Sequence, residues 1–437
     1  MKVEGFAGDI VGADDDAYEA ARRTVLVDGQ PAAVLRPLTV ADVQKAVQYA
    51  ASSGLQLAVR GGGHAFAGFG TNDGGLVIDL SLLRTVEVID KERHLVKIGG
   101  GANWGQVADA LAPHGLAISS GDTRSVGVGG LTLSGGIGWK VRKYGLALDN
   151  LVAVELVTAA GDVVRASADE NIELFWAVRG GGGNFGIVTA FEFAAHPTGD
   201  VHFGKIVFAA SEIADVLPRW AEYLSTAPEE LTSIASFANP FLGGPEAPLE
   251  IQVAYDGNNA AEALDPIRKL GTVIADDVAL TPYAEVLVNG AVPPPGIQLV
   301  TRSAFVDKDS VPDVLRILAE AGTTQGAPVI AVRTVGGAVA RVADDATAYA
   351  HRQAELMIIL TTIGPPPVIE ATRPARQQLW DRLSPHVHGA YANFLSEADD
   401  VDVAAVYPAA TYERLAAVKH DYDPTNLFTG NHNIRPA

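Results

Sequence analysis

Glycine placement constrains this chain more than any other feature. Its 46 glycines include three tight clusters in the first half: Gly61-Gly62-Gly63 before His64, the run GVGGLTLSGGIG from Gly127 to Gly138, and GGGGNFG from Gly180 to Gly186. Glycine lets a backbone reach positive φ and come close to a ligand, so clusters beside strands point to a phosphate-bearing cofactor. The strand-like runs lie between them at LQLAVR (55–60), GLVIDL (75–80) and LVAVELVTA (151–159). Helical patterns at 39–54 and 104–115 each end on a glycine, the usual left-handed C-terminal cap. A GxGxxG match exists at Gly181, Gly183 and Gly186. A dinucleotide fingerprint needs strand, glycines, then helix. Here a helix-like ENIELFWAV precedes and the strand-like GIVTAFEF follows, so the order is inverted and that fold is rejected. GxxxxGK[ST] is absent, which removes the P-loop reading as well.

Composition narrows the partners. The 437 residues are 48% hydrophobic and 19% charged, enough for two or three folded domains. Lys and Arg total 32 against 52 Asp and Glu, a net charge of −20. Such a surface repels phosphate backbones and anionic lipid, which argues against nucleic acid and membrane as partners. No apolar run reaches the roughly 18 residues of a membrane span. Cysteine is absent, so disulfides, thiolate metal sites, cysteine nucleophiles and cysteinyl cofactor links are all excluded. The acidic start lacks the basic-then-apolar pattern of a signal peptide, and a cytoplasmic location is expected.

From about residue 200 the pattern changes to alternating strands at 202–209, 249–255, 297–306, 329–335 and 355–361, with helices at 211–225, 260–271 and 310–322. One antiparallel sheet with helices on a single face follows, leaving the other face to cover a ligand. The Pro/Gly-rich loops 239–248 and 289–296 either rim that site or simply connect elements at the surface. No histidine pair has metal-ligand spacing with a third partner; His386 and His388 stand alone, and no metal is expected.

Four segments taken together carry a resemblance: VRGGGHAFAGFG (59–70), GDTRSVGVGGLTLSGGIGW (121–139), LFWAVRGGGGNFGIVTAFEF (174–193) and YDPTNLFTGNHNIRP (422–436). In this order, and spread nearly end to end, they resemble the berberine bridge enzyme-like flavoproteins of the vanillyl-alcohol oxidase superfamily. The resemblance implies an α+β fold, with an FAD-binding domain over 1–199 to which 400–437 returns and a substrate domain over 200–399. It implies cofactor contacts from Val59, Arg60, Gly61, Gly62, Gly63, His64, Ala65 and Gly68 in the first loop. From the second come Thr123, Val126, Gly127, Val128, Gly129, Gly130, Leu131 and Ile137. Gly183 and Val188 follow in the third, Tyr391 and Asn393 near the end.

The resemblance also implies chemistry. In the family, the histidine at the place of His64 bonds to the 8α carbon of the flavin. Many members add a cysteinyl bond at the place held here by Thr123, so this chain is expected to carry FAD through His64 only. Val126 stands where relatives govern oxygen access; the expectation is an oxidase that takes hydride from a small organic substrate and uses O2. The alternatives are a dehydrogenase with another acceptor, or a flavin-binding module without catalysis. Relatives commonly read Tyr-x-Asn-Tyr with the last tyrosine as base. Here the segment is Tyr391-Ala392-Asn393-Phe394, and phenylalanine takes no proton. A carboxylate that some relatives place after AHR (350–352) is replaced by the apolar LMIIL (356–360). Tyr391 is then a candidate catalytic group, or a residue that only holds the flavin edge. His386, His388 and His432 remain as possible bases, and Arg302 and Arg333 face either the flavin or solvent. A substrate that loses hydride without a strong base, such as an amine or a phenol activated elsewhere, fits best. Trp104, Trp139 and Trp176 are expected to pack.

Overall fold

The computed structural model describes residues 1–290, 292–294 and 296–437. In the first half, helix Val40–Ser53 starts on a reciprocal capping box between Thr39 and Asp42 and stops at Gly54, whose φ is 68°. Its apolar face covers a four-stranded sheet in the order Asp9–Gly12, Ala33–Arg36, Leu76–Asp79, Leu57–Arg60, the last three strands parallel. A second, antiparallel sheet runs Val86–Asp90, Leu95–Gly99, Ile187–Ala194, Leu151–Val157, Val163–Ser167. Helix Ile172–Val178 precedes the third glycine cluster and strand Ile187–Ala194 follows it, so the inverted order read from the sequence is the order of the fold. Trp104, Trp139 and Trp176 are buried in the main core.

The second half forms an eight-stranded antiparallel sheet: Val273–Asp276, Asp200–Phe208, Leu249–Tyr255, Leu231–Phe237, Val329–Thr334, Leu356–Gly364 and Gln298–Val306 in spatial order, with Ala279–Pro282 also on Asp200–Phe208. Side-chain alternation separates its two faces. Residues such as Phe208, Ile251, Phe237, Val332, Ile358 and Val306 pack on helices Ile213–Thr226, Ala260–Arg268, Val311–Gly322 and Pro366–Leu383. The opposite parity, including Ile234, Ala254, Phe305, Met357 and Ile359, packs on the first half of the chain. Helices therefore lie on a single face.

Two elements have weak sequence signals. Strand Leu231–Phe237 carries serines where apolar residues would mark a core strand. Ser233 is fully buried because the Trp220 indole donates to it at 3.0 Å and it donates to the Gln252 carbonyl at 3.0 Å. Helix Pro366–Leu383 begins on prolines, which the first turn tolerates, and carries Pro374 inside. Only Ile369, Leu379 and Leu383 of its residues are buried, so its periodicity is faint.

Buried cations join the two halves. Arg142 donates to the carbonyls of Leu224, Ala227, Pro228 and Leu231, closing the end of helix Ile213–Thr226. Lys140 pairs with Asp256 at 2.5 Å, and Arg352 with Asp149 at 2.8 Å. The chain end returns through helix Ala409–Tyr422, which packs on helix Ile172–Val178. There Lys419, fully buried, donates to Asp423 at 2.9 Å and to the carbonyls of Asn184 and Phe428 at 2.9 and 3.0 Å. Asn184 in turn accepts from the Ile434 amide and donates to the His432 carbonyl. Breaking a buried ion pair from one side strands the other charge, at about 3–5 kcal/mol. Lys419→Met is therefore expected to lower the unfolding free energy by about that amount in urea titration. A change below about 1 kcal/mol, the range of an exposed pair, would show that the tail is not held this way.

Candidate functional site

A cavity of about 390 Å³ opens between the glycine clusters and the large sheet, which contributes Leu299 from strand Gln298–Val306. The first cluster forms its floor because strand Leu57–Arg60 ends there and the backbone turns at Gly63, φ 70°. Gly62 lies directly against Gly127 of the second cluster: a Cβ on either would collide with the backbone nitrogen of the other. Gly130 and Gly183 face open space on the wall, where a side chain would fill the cavity. Among the described residues, the N–H groups of Gly61 through Ala65 donate to no protein acceptor. Consecutive free amides of this kind form an anion-binding concavity.

Val59, Arg60, Gly61, Gly62, Gly63, His64 and Ala65 all line the cavity. So do Thr123, Val126, Gly127, Gly129, Gly130, Leu131, Ile137, Gly183, Val188, Tyr391 and Asn393. Gly68 and Val128 do not. Gly68 sits at φ 78° facing Val27 and shapes the loop, while Val128 is fully buried in the core with its N–H on the Ala102 carbonyl. Arg60 reaches the wall but its guanidinium is committed elsewhere, to Asp79 at 2.9 Å and to the carbonyls of Ala21 and Arg23.

His64 is partly buried, which lowers its pKa and favours the neutral imidazole. Its Nε2 lies 2.9 Å from Ser125 Oγ, and Nδ1 has no partner among the described residues. Thr123 donates to Asp122 at 3.0 Å. Segment 284–290 runs alongside: Thr123 bridges to Val288, the Val288 amide donates to the Asp122 carbonyl, and Arg124 donates to the Ala284 carbonyl. This brings Gly290 over Thr123 and His64, where a Cβ would meet Thr123 at 3.0 Å and His64 at 3.5 Å. The loop 289–296 thus begins on the wall; Ala291 and Pro295 in it lie outside the described residues. Loop 239–248 contributes no lining residue among those described.

Tyr391 is buried against Ile137 and Tyr349. Its hydroxyl oxygen accepts from the Gly136 amide at 2.8 Å and from Asn393 at 3.0 Å, leaving its own proton for a partner in the cavity. Burial raises its pKa despite these bonds, so the side chain acts as a hydrogen-bond donor, which favours the flavin-edge role over the catalytic one among the two readings of Tyr391. Phe394 continues the wall, 5.5 Å from Tyr391 and 6.0 Å from Phe66 between ring centres.

The other candidates separate cleanly. His432 lines the cavity, edge-on to Phe69, and burial drops its pKa to about 4. His388 pairs with Asp307 and His386 approaches Asp313, both away from the wall. Arg302 points to the helical face, stacked 3.7 Å over Trp380. Arg333, on the opposite parity, pairs with Asp122 and lies 5.4 Å from the Phe394 ring. Asp122 lines the cavity and had no sequence signal, because its partner is more than 200 residues away.

The residues present fit FAD: free amides for a pyrophosphate, bare glycine backbone for a flat ring system, and a neutral histidine beside it. Residues 31–167 match the FAD binding domain family, and residues 390–435 match the berberine and berberine-like family. The (R)-6-hydroxynicotine oxidase of Paenarthrobacter nicotinovorans is 33% identical, the match covering 98% of this chain and 97% of that one. A crystal structure of 6-hydroxy-D-nicotine oxidase from Arthrobacter nicotinovorans superposes with a TM-score of 0.88 at 30% identity over 99% of this chain and 98% of that chain. The xylooligosaccharide oxidase of Thermothelomyces thermophilus is 31% identical, covering 93% of this chain and 88% of its own. With a cavity whose residues fit FAD, matched families and end-to-end relatives in agreement, the chain belongs to the berberine bridge enzyme-like FAD-linked oxidases of the vanillyl-alcohol oxidase superfamily.

Proposed function

We propose that this oxidase carries FAD on His64 alone, through Nδ1, and that it oxidises a small organic molecule without a side-chain base, with O2 as acceptor. The observation that carries the reading is His64 itself: a neutral imidazole on the cavity wall, with Nε2 engaged by Ser125 and Nδ1 free. A solved glucooligosaccharide oxidase is described as holding 6-S-cysteinyl, 8α-N1-histidyl FAD. Here Thr123 stands at the cysteine's place by the motif, its hydroxyl spent on Asp122, and the chain has no cysteine.

Bound FAD supplies the two-electron acceptor that takes hydride from the substrate carbon and is reoxidised by O2. The protein's own groups bind and orient. Amides 61–65 are donors for the pyrophosphate, Tyr391 and Asn393 form a fixed polar edge, and Val126 narrows the wall. Phe66, Phe394, Leu299 and Leu395 exclude water from the substrate side. Cytoplasmic residence belongs to the same proposal, and cell fractionation tests it.

The denatured protein should show flavin fluorescence in the 45.6 kDa band of a gel. His64→Ala should lose that band while the native variant still binds FAD; a fluorescent His64→Ala band would overturn the assignment. Attachment also has a pH signature. A histidine pKa below the usual value of about 6.5 leaves the neutral nucleophile dominant at pH 7 and into mildly acidic solution. The yield of fluorescent band, measured on protein expressed without riboflavin and then given FAD, should hold steady from pH 8 to about pH 6.5 and fall only in more acidic buffer. A fall beginning above pH 7 would contradict a burial-lowered His64.

A further inference from the structure

Among the described residues, Ser125 is the one side chain bonded to the His64 ring, its Oγ 2.9 Å from Nε2. The backbone on either side of it is fixed. The Gly105 amide donates to the Arg124 carbonyl at 2.8 Å and the Trp104 amide to the Val126 carbonyl at 3.0 Å. Gly62 packs against the serine itself, where a Cβ would come within 2.8 Å of the Ser125 carbonyl oxygen. Gly290 closes another side: a Cβ there would meet Ser125 Oγ at 3.4 Å and His64 Cε1 at 3.5 Å. Ser125 is nevertheless exposed and does not line the cavity. Its oxygen therefore has the imidazole on one side and solvent on the other. No charged side chain shifts the His64 pKa, which burial alone lowers.

We propose that Ser125 is the positioning residue for attachment: its hydroxyl holds the His64 proton on Nε2, which leaves the Nδ1 lone pair free, and relays that proton to solvent as Nδ1 bonds. The proposal rests on the reading that FAD is carried on His64 through Nδ1, and adds how the nitrogen is selected and where its proton goes. Attachment makes one bond, from Nδ1 to the 8α carbon. It breaks two, a C–H bond of that methyl group and the Nε2–H bond. Two protons and two electrons are released, and O2 takes all four as hydrogen peroxide. An imidazole alkylated at Nδ1 is neutral only without its Nε2 proton, and burial disfavours the cation that would otherwise remain. A hydroxyl suits both ends of the step, because it accepts from Nε2–H beforehand and donates to bare Nε2 afterwards. A carboxylate in its place would hold the proton on the ring and keep the ring charged. An alanine would neither select the tautomer nor carry the proton away.

The test uses protein expressed without riboflavin and then given FAD, with the fluorescent gel band followed in time. The parent rate should be flat between about pH 6.5 and 8, where a burial-lowered histidine stays neutral. Ser125→Ala should bind FAD with the parental Kd, since Ser125 is not on the cavity wall. It should attach FAD about 100-fold more slowly, the lower range of an acid–base contribution. Its residual rate should climb with pH and with added imidazole, because the Nε2 proton must then reach a base in solution. Ser125→Thr keeps the hydroxyl and should attach at close to the parental rate. Ser125→Ala attaching as fast as the parent, with the same pH profile, overturns the proposal. So does a slow variant that neither higher pH nor imidazole restores, or one that loses FAD binding in parallel, since a purely structural serine would fail in those ways. Failure of the His64 reading looks different: a dark parent band, or a fluorescent band in His64→Ala.

Discussion

Two backbones in contact, at Gly62 and Gly127, set the geometry on which the rest of the site depends. Neither position accepts a Cβ, because each lies against the peptide nitrogen of the other. That approach brings the loop after strand Leu57–Arg60 onto the start of helix Val128–Leu133, and so places His64 beside Ser125. It also leaves amides 61–65 unpaired among the described residues, since a chain packed backbone to backbone has no side chains there to satisfy them. The cavity floor is thus made of peptide groups, whose positions are fixed by packing, and its chemistry is supplied by a few side chains around the rim.

The second requirement is that a separate sheet stay docked over that floor. The sheet supplies Leu299, Arg333 and the hydroxyls that position Tyr391: Ser303 accepts from the Tyr391 amide and donates to its carbonyl. Docking relies on buried cations that reach across and end on carbonyls or carboxylates, as Arg142, Lys140 and Arg352 do. Such links cost desolvation, which lowers the pKa of Lys140 and Arg142. Their gain is directional, because each guanidinium or ammonium is satisfied in one relative orientation of the two halves.

How much was legible in the sequence follows the range of the interactions. Glycine clusters, the capped helix Val40–Ser53 and the alternating strand Leu249–Tyr255 are local signals, and the chain announces them locally. Strand Leu231–Phe237 was not foreseen because its Ser233 is tolerated only through Trp220 and Gln252, which are brought to it by the fold. Asn184 lay inside a quoted glycine motif, yet its task of holding residues 432–434 is visible only once the tail has returned. Arg302 and Arg333 were indistinguishable as strand arginines. Register decides between them, placing one on Trp380 and the other on Asp122. At Gly68 and Val128 a segment that forms the cavity turns residues away from its wall, which motif position alone does not show.

Gly290 gives this arrangement an order in time. It lies over His64 and Thr123 and belongs to a segment pinned along residues 122–124, which is itself continuous with the large sheet through strand Gln298–Val306. His64 therefore meets Gly290 only when the two halves have come together. On the His64 assignment, a covalent bond made in that enclosure is a permanent record of completed assembly. It survives later unfolding, so each tethered chain, even a denatured one, testifies that it once reached the native state.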